Sequence, residues 1–301
     1  MKTVVLLIFL VTVGFIAFIN VSLLCSTHGQ YQKIKELPTS SDKNPVLELF
    51  RQCLLPHFYG EADKNIFDGF PKKIEYCAKI LHFNESSLLA YKNNDEVKYH
   101  INPNGDDHSD CHIISIGVGH DVTIEKALNK LHGKCRFYAA DPIESTNKDL
   151  FTPIGQFFPF AVGASSKVQE ANVKLDPNSD TYTHVNFTHV EMVSFLKEKA
   201  NIPAGKIDQL FLDGEGAEYE LIPYFAIGGP LDIAGYDVCQ INAEFHLPDN
   251  DKKQIFAKFI RKTLSDGRYL PLKTFKWFHM RIYFLNIASQ KCVRLYVKDK
   301  F

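Results

Sequence analysis

The segment at residues 207–222, IDQLFLDGEGAEYELI, limits the folds open to this chain more than any other part of it. Its first half is a run of large apolar residues, which is typical of a strand buried on both faces of a parallel sheet. Asp213 follows this strand, and Gly214 and Gly216 then allow a tight turn that a ligand can approach closely. An apolar pattern with helical period comes next. This order predicts an α/β sheet whose ligand site lies at the carboxyl ends of its strands.

Alternating strand and helix patterns extend the same architecture from residue 111 onward. The predicted strands are residues 113–116, 135–140, 157–162, 237–245, 269–275, 280–287 and 292–297. The predicted helices are residues 122–131, 190–196 and 252–264, with Thr188 and Glu191 as a capping box for the second. Together with residues 207–222, these elements predict a Rossmann-like, doubly wound, mostly parallel sheet with a C-terminal antiparallel hairpin.

The chain of 301 residues divides into four segments. These are a hydrophobic N-terminal segment at residues 1–25, a polar stem at 26–45, an accessory section at 46–110 and the α/β domain at 111–301. Within the accessory section, apolar patterns predict helices at residues 46–58 and 78–92 and a strand at residues 96–103. The packing of this section on the domain does not follow from the sequence.

The N-terminal segment predicts an association with a membrane. Residues 3–24 contain no charged side chain, and as a helix they would span about 30 Å, the thickness of a hydrocarbon core. This length favours a signal anchor, and the alternative is a signal peptide cleaved near Ser26 or Gly29. In both cases we expect the rest of the chain in the secretory pathway, either facing the ER or Golgi lumen from a single-pass anchor or secreted.

Two further features agree with a secretory location. Asn84 and Asn186 each begin an N-glycosylation sequon. Apart from Cys25 in the N-terminal segment, the chain has six cysteines, a number that permits three disulfides whose pairing the sequence leaves open: Cys53, Cys77, Cys111, Cys135, Cys239 and Cys292. Their spacing is not that of a zinc site.

A second glycine turn offers a nucleotide-type site. Gly117 and Gly119 lie directly after the strand predicted at residues 113–116 and before the next helix. Glycines there let the backbone approach a ligand, and the helix N-terminus adds a positive partial charge. Asp141 ends the next strand about 20 residues further on, a spacing at which a carboxylate binds ribose hydroxyls, although a simple turn is the alternative. The pattern indicates an adenosyl or nucleotide ligand.

These motifs resemble those of the FkbM-type methyltransferases, S-adenosylmethionine-dependent enzymes of the Rossmann-like class, and in particular those of their membrane-anchored animal relatives. The resemblance covers residues 111–297 and is carried by residues 114–119, 138–142, 160–163, 211–218 and 241–246. It implies a class I methyltransferase-like fold with S-adenosylmethionine as the cofactor. By this resemblance Gly117 and Gly119 line the methionine side of the cofactor. Asp141 would bind its ribose, and Asp213 would close the methyl-transfer site.

Two positions depart from the common pattern of the family. Ser115 stands where many members have an acidic residue, and Asp121 stands where they often have a third glycine. We expect Ser115 to hydrogen-bond the cofactor and Asp121 to cap the following helix. These departures keep open the alternative of a domain that has the fold without the activity.

Four side chains near strand ends are candidates for the catalytic role: Asp213, Glu215, Glu244 and His246. Methyl transfer to oxygen needs an in-line approach of the acceptor, and often a base that removes the hydroxyl proton. His246 has an ordinary pKa suited to this step near neutral pH; the alternative is that it caps the strand or is held by Glu244. Glu218 and Glu220 are expected only to stabilise the first turn of the next helix.

Three aromatic residues lie between the last predicted strands: Phe275, Trp277 and Phe278. Large aromatic side chains bury much apolar surface and most often contribute to a core or a hairpin. We therefore expect these residues to pack against the protein. A substrate-binding platform is the less favoured alternative.

The leading hypothesis is an O-directed methyltransferase that acts on a glycan or another small hydroxylated acceptor and contacts the membrane through the N-terminal segment. No metal is expected under this hypothesis. One alternative is a lumenal nucleotide-sugar glycosyltransferase, in which Asp213 and Glu215 would hold Mn²⁺. The other is a non-catalytic interaction domain on the same fold. A nucleic-acid partner is not expected, because the formal net charge is −1 and no basic stripe is present.

Overall fold

The computed structural model describes residues 44–105, 110–173, 181 and 183–301. All of them belong to the compact unit Pro38–Phe301. The hydrophobic segment predicted at residues 1–25 and nearly all of the stem predicted at 26–45 lie outside the described residues. Within the described part of the chain, no helix is both long and apolar enough to span a bilayer.

The regular elements of the described residues alternate along most of the chain. The strands are β1 (Leu89–Lys92), β2 (Val97–His100), β3 (His112–Ile116), β4 (Arg136–Ala140), β5 (Gln156–Phe158), β6 (Ala161–Gly163), β7 (Lys167–Val173), β8 (Thr183–Glu191), β9 (Lys206–Leu212), β10 (Asp237–Phe245), β11 (Tyr269–Lys276) and β12 (Met280–Asn286). The α-helices are α1 (Pro45–Tyr59), α2 (Asp63–Ile80), α3 (Thr123–Leu131), α4 (Glu144–Phe151), α5 (Met192–Ser194), α6 (Glu218–Leu221), α7 (Pro230–Ile233), α8 (Asn250–Asp266) and α9 (Gln290–Tyr296). A π-helical turn (Phe195–Lys199) follows α5, and a 3₁₀ turn (Ile222–Phe225) follows α6.

Seven strands form the main sheet in the order β11-β12-β10-β9-β3-β4-β5. The five strands from β10 to β5 run parallel, whereas β12 is antiparallel to both of its neighbours. The chain adds β4 and β5 on one side of β3 and then places β9 and β10 on the other, so the strand order reverses between β3 and β9. This topology confirms the predicted doubly wound sheet with its C-terminal antiparallel hairpin and is that of a class I methyltransferase-like fold.

Both faces of the main sheet are covered. Successive residues of a strand point to opposite faces, and the side chains of β3 and β10 are buried throughout. Ile113 belongs to an apolar cluster with Leu128 of α3 and Phe151 of α4. Its neighbour Ile114 belongs to a second cluster that includes apolar residues of α1, α2 and α8. The helices therefore lie in layers on either side of the sheet, and the accessory section contributes to one of these layers.

Buried amides attach the β1–β2 hairpin of the accessory section to the main sheet. The side chain of Asn242 accepts the Tyr99 N–H at 2.7 Å and donates to the Tyr99 carbonyl at 2.9 Å. The side chain of Gln240 forms the same pair of bonds with Ile101, at 2.7 and 3.2 Å. Each amide satisfies backbone groups that would otherwise be buried without partners. These bonds hold β2 over β10, close to the carboxyl edge of the sheet.

The helix predicted at residues 78–92 is wrong. Helix α2 ends at Ile80, the chain turns at His82 with a φ of +47°, and β1 follows. The sequence pattern does not indicate α2, because Gly69 and Pro71 lie inside it and both residue types ordinarily disfavour a helix interior. Packing of the apolar face of α2 against α8 and β11 compensates for these residues.

Two predicted strands also differ from the structure. Residues 292–297 form most of the helix α9 instead of a strand, and Cys292 and Tyr296, one helical turn apart, are both buried. The strand predicted at residues 157–162 is divided at Pro159, which has no N–H to donate. Its first part, β5, pairs with β4, and its second part, β6, pairs with β8 in a separate three-stranded sheet.

The predicted capping box is wrong in its first residue. Thr188 lies within β8, where it pairs with Val168 of β7. The carboxylate of Glu191 caps α5 alone, because it accepts the N–H groups of Val193 at 2.9 Å and Ser194 at 2.8 Å. A strand that runs directly into a helix leaves no turn for the capping serine or threonine that the pattern requires.

Among the described residues, the six cysteines form three disulfides, as their number permits: Cys53–Cys77, Cys111–Cys135 and Cys239–Cys292. The first joins α1 to α2, the second joins the residues that precede β3 and β4, and the third joins β10 to α9. The structure thus supplies the pairing that the sequence leaves open. Disulfides are typical of proteins that fold in an oxidising compartment.

We expect the Cys239–Cys292 bond to make a large contribution to stability, because it closes a loop with a sequence separation of 53. The double substitution Cys239→Ala/Cys292→Ala should lower the free energy of unfolding by about 4 kcal/mol, measured by urea denaturation. Cys25→Ala, which removes none of the three bonds, is the control and should leave the value unchanged. A loss below about 1 kcal/mol, or a non-reducing peptide map with other pairs, would contradict the assignment.

Candidate active site

Four residues stand side by side at the carboxyl edge of the sheet: Asp141, Gly117, Asp213 and Glu244. The residues that directly precede these four pair with one another across the sheet: Ala140 with Ile116, Ile116 with Leu212, and Leu212 with Ala243. The row crosses the point between β3 and β9 where the strand order reverses. Ligands of open α/β sheets bind outside such a point. The structure therefore brings together sequence-predicted residues that are far apart in the chain.

Gly117 allows the two central strand ends to meet. Its φ is +85°, and a Cβ at this position would lie 2.0 Å from the carbonyl oxygen of Asp213. The Asp213 N–H donates to the Ile116 carbonyl at 2.8 Å, which holds the two strand ends together. Gly119 differs, because its φ is +62° and no atom of the described residues lies within 4 Å of a Cβ placed there. Gly117 is thus required by the protein itself, whereas Gly119 leaves the loop open to a ligand.

Asp141 fixes the glycine loop through its carboxylate. Its Oδ2 accepts the Val118 N–H at 2.8 Å, and its Oδ1 accepts the Ile143 N–H at 2.7 Å. The side chain is buried. A carboxylate has about four acceptor positions, so both oxygens retain the capacity to accept hydrogen bonds from a ligand. This arrangement fits the predicted role of Asp141 in binding ribose hydroxyls beside an open loop.

Ser115 is bonded to a carboxylate that the sequence reasoning missed. Its hydroxyl donates to Glu125 Oε1 at 2.8 Å, and both side chains are buried. An acidic group therefore lies beside the end of β3 even though residue 115 is a serine. The sequence signal was an acid on the apolar face of α3, next to Ile124. Asp121 was expected to cap that helix, but the N-cap is Val122; Asp121 precedes it and accepts the Thr123 N–H at 2.9 Å.

Glu218 organises the acidic glycine turn. Its Oε1 accepts the Gly214 N–H at 2.6 Å, and its Oε2 accepts the Gly216 N–H at 2.9 Å. Between these glycines Glu215 has a φ of +51°, a left-handed conformation that is costly for a residue with a side chain. The fully buried Glu218 carboxylate holds the turn in this shape. The expectation that Glu218 only stabilises the next helix was too narrow.

His246 lies among three carboxylates. Its Nδ1 is 3.2 Å from Glu218 Oε1, and its Nε2 is 3.1 Å from Glu215 Oε2 and 3.6 Å from Asp213 Oδ1. Burial lowers the pKa of His246, but hydrogen bonds to Glu215 and Glu218 and the charge of Asp213 outweigh the burial and raise the pKa to about 11. His246 is therefore an imidazolium at neutral pH, whereas the sequence argument assumed an ordinary imidazole. It compensates the charge of the acidic turn.

Glu244 and Asp213 hold their protons more tightly than ordinary carboxyl groups. Burial raises the pKa of Glu244 to about 7, against the opposing charges of Arg281 and His246. Burial and the charge of Glu244 also raise the pKa of Asp213. Glu244 pairs directly with Arg281 across the sheet, and Arg281 Nε lies 2.9 Å from Glu244 Oε2. A carboxyl group that titrates near neutral pH is suited to accept a proton in catalysis.

The β1–β2 hairpin contributes two charged residues that the sequence reasoning missed. Glu96 Oε1 lies 2.8 Å from Lys98 Nζ, and Glu96 Oε2 lies 3.4 Å from Arg281 Nε. Burial lowers the pKa of Lys98, but the charge of Glu96 and of other carboxylates nearby outweighs the burial and raises the pKa above its ordinary value. The hairpin and the sheet both border a cavity of about 20 Å³, which is lined in part by Asp213 and Glu244. No local pattern in the sequence indicates this arrangement.

At this edge of the sheet, two sets of described side chains have ligand types and spacing that could hold a divalent cation. The ligand atoms of Asp213, Glu215 and His246 all lie within 4.8 Å of one another, and so do those of Glu244, His246 and His279. Carboxylate oxygens and imidazole nitrogens are ligands for such ions. His246 would have to lose a proton to bind one, because a metal coordinates neutral imidazole.

Comparison with known protein families identifies the domain. A family model described as the methyltransferase FkbM domain matches residues 71–271, which is more than half of the 301-residue chain. The matched range begins within α2 and ends within β11, so it includes the β1–β2 hairpin and the site from Glu96 to His246. Comparison with curated proteins found no match.

The two glycines of the loop should respond differently to alanine. Gly117→Ala should lower the free energy of unfolding by about 3 kcal/mol or more, because its Cβ would overlap the Asp213 carbonyl and its φ is left-handed. Gly119→Ala is the matched control and should cost only about 1–2 kcal/mol, since it has the φ penalty without the overlap. Urea denaturation measures both values. Equal losses would show that the strand ends do not meet as described.

Proposed function

The chain belongs to the methyltransferase FkbM domain family, and from this membership we propose that it is an S-adenosylmethionine-dependent methyltransferase that acts on a hydroxyl group. The proposed acceptor is a glycan or another small hydroxylated molecule of the secretory pathway. One observation carries the proposal: Gly117, Asp141 and Asp213 adjoin at the point where the strand order reverses. That point is where a doubly wound sheet binds its ligand.

The residues around this point fit the cofactor. The open side of the loop at Gly119 lets the backbone approach, and Asp141 offers acceptor positions to ribose hydroxyls. The Glu125 carboxylate, bonded to Ser115, adds negative charge near the end of β3, which would favour the amino group of the methionine part. When bound, S-adenosylmethionine supplies an electrophilic methyl group.

The acidic residues would prepare the acceptor. Glu244 titrates near neutral pH and stands next to Asp213, so it is the best placed base for the hydroxyl proton. His246 is already protonated and instead pairs with Glu218 through Nδ1 and with Glu215 through Nε2, which holds the acidic turn in position. Arg281 orients Glu244. Positioned charges of this kind act strongly because the site is largely buried.

The proposed location is the secretory pathway, with the folded domain in the ER or Golgi lumen or outside the cell. Three disulfides support an oxidising compartment. The sequon residues Asn84 and Asn186 are both exposed, so they are accessible to glycosylation. The uncharged N-terminal segment would attach the protein to the membrane or be cleaved as a signal peptide.

Isothermal titration of the full chain, in detergent micelles, with S-adenosylmethionine tests the proposal. We expect saturable binding that Asp141→Asn weakens about tenfold or more, because an amide loses the charge that strengthens hydrogen bonds to hydroxyls. Asp149→Asn, an exposed change in the following helix, is the control and should bind normally.

The same titration separates the alternatives. Binding of a nucleotide sugar with Mn²⁺ in place of S-adenosylmethionine would favour a glycosyltransferase, with Asp213, Glu215 and His246 as the metal ligands. Absence of binding to either compound by correctly folded protein would favour an interaction domain and would reject the proposed function.

The raised pKa of Glu244 predicts a specific pH dependence of stability. Its pKa of about 7 in the folded protein exceeds the ordinary value of 4.5, so ionisation is disfavoured by folding. The stability that the protonated Glu244 carboxyl group contributes is therefore fully present below about pH 4.5 and is lost as the pH rises to about 7. Relative to the wild type, Glu244→Gln should gain about 2–3 kcal/mol of unfolding free energy between pH 4.5 and pH 8. Parallel stability curves for the two proteins, measured by urea denaturation, would refute the assigned environment.

A further inference from the structure

The three aromatic residues expected to pack in the core or the hairpin are exposed instead. Phe275 is 55% exposed, Trp277 is 71% exposed and Phe278 is 68% exposed. All three lie at the tip of the β11–β12 hairpin, and the rings of Trp277 and Phe278 meet edge to face with centroids 6.2 Å apart. Single exposed apolar residues are common on proteins, but a contiguous aromatic group on a surface indicates a binding site.

The aromatic tip adjoins the candidate active site. Phe275 pairs across the hairpin with Arg281, and it lines the same cavity as Asp213 and Glu244. On the other side of the tip, the ring of His279 lies 4.4 Å from that of His246. Phe275 therefore lines the acidic site, and Trp277 and Phe278 follow it at the turn of the hairpin.

The hairpin is held firmly below its tip. Lys276 Nζ lies 2.6 Å from Asp68 Oδ1 of α2, and Lys273 forms an ion pair with Glu85. Met280, which closes the hairpin opposite Lys276, is fully buried. These contacts attach the base of the hairpin to α2 and to the segment between α2 and β1.

The tip lies at the carboxyl edge of the sheet, next to the end of β10 and on the side of the candidate active site.

The charge of the site favours an uncharged ligand. Ion pairs join five carboxylates, those of Asp213, Glu215, Glu218, Glu244 and Glu96, to three cations, His246, Arg281 and Lys98. An acidic sugar placed here would meet an excess of like charge. A neutral sugar has hydroxyl groups for the acidic residues and an apolar C–H face for the aromatic rings.

We propose that Phe275, Trp277 and Phe278 form a platform for the apolar face of a neutral sugar ring, which presents a hydroxyl group to Asp213 and Glu244. This inference rests on the proposed methyltransferase function and narrows its acceptor to an uncharged glycan. Trp277 is the main contact, because it is the most exposed of the three and has the largest ring. It determines acceptor binding and takes no part in binding the cofactor.

An array of neutral and acidic oligosaccharides, probed with the full chain in detergent micelles, tests this inference. Binding should be confined to neutral oligosaccharides, should fall at least tenfold in Trp277→Ala and should be retained in Trp277→Tyr. Ile233→Ala, a change at a similarly exposed position on α7, is the control and should bind as the wild type does. Binding confined to acidic oligosaccharides, no binding at all, or binding unaffected by Trp277→Ala would overturn the inference.

Trp277 also provides a measurement in solution, because it is the only tryptophan in the chain. Titration with a neutral oligosaccharide that binds on the array should shift its fluorescence emission to shorter wavelength. An unchanged spectrum would place the ligand elsewhere and reject the platform.

Two further measurements identify the cause of a failure. Trp277→Ala should bind S-adenosylmethionine normally, because the platform takes no part in cofactor binding. If the wild type binds the glycan but not the cofactor, the proposed function is rejected and the platform is retained. Association with phosphatidylcholine vesicles that is lost in Trp277→Ala, with no glycan binding, would assign the tip to a membrane and overturn the inference.

Discussion

The close contact between Gly117 and the carbonyl oxygen of Asp213 is the constraint on which the site depends. It lets β3 and β9 end side by side at the point where the strand order reverses. A side chain at position 117 would push the two strand ends apart. The loop at Gly119 and the turn that follows Asp213 would then no longer border a common space. Asp141 adds to the constraint, because its carboxylate fixes the loop from the neighbouring strand.

The acidic edge gathers more carboxylates than its cations neutralise, and this imbalance has a functional meaning. Burial and the charges of neighbouring carboxylates raise the pKa values of Asp213 and Glu244, which lowers stability at neutral pH. His246 and Arg281 limit this cost through short ion pairs. Groups whose environments displace their pKa values are concentrated at functional sites, because catalysis needs proton acceptors matched to the working pH. The raised pKa values of Asp213 and Glu244 therefore agree with the function proposed for this edge.

The accessory section belongs to the same compact unit as the α/β domain. Its helices α1 and α2 cover one face of the sheet, and its hairpin covers the other through the amides of Gln240 and Asn242. Glu96 and Lys98 enter the site as a result. The family match agrees, since it begins at residue 71, well before the first strand of the main sheet. Phe275 of the last hairpin lines the acidic site from the opposite end of the chain.

The fold class and the edge of the sheet where the candidate site lies could be predicted from the sequence. Apolar runs such as β10 indicate buried parallel strands, and Gly117, Asp141 and Asp213 follow such runs, so the pattern places them at the carboxyl edge. The strand order and the other groups that reach this edge could not be predicted, because they depend on tertiary packing. Glu96 and Glu125 come from elements whose positions over the sheet depend on packing, and no local spacing encodes that packing. The charge of His246 also follows from neighbours brought together by folding, because a pKa depends on burial and nearby charges, which the chain acquires only when it is compact.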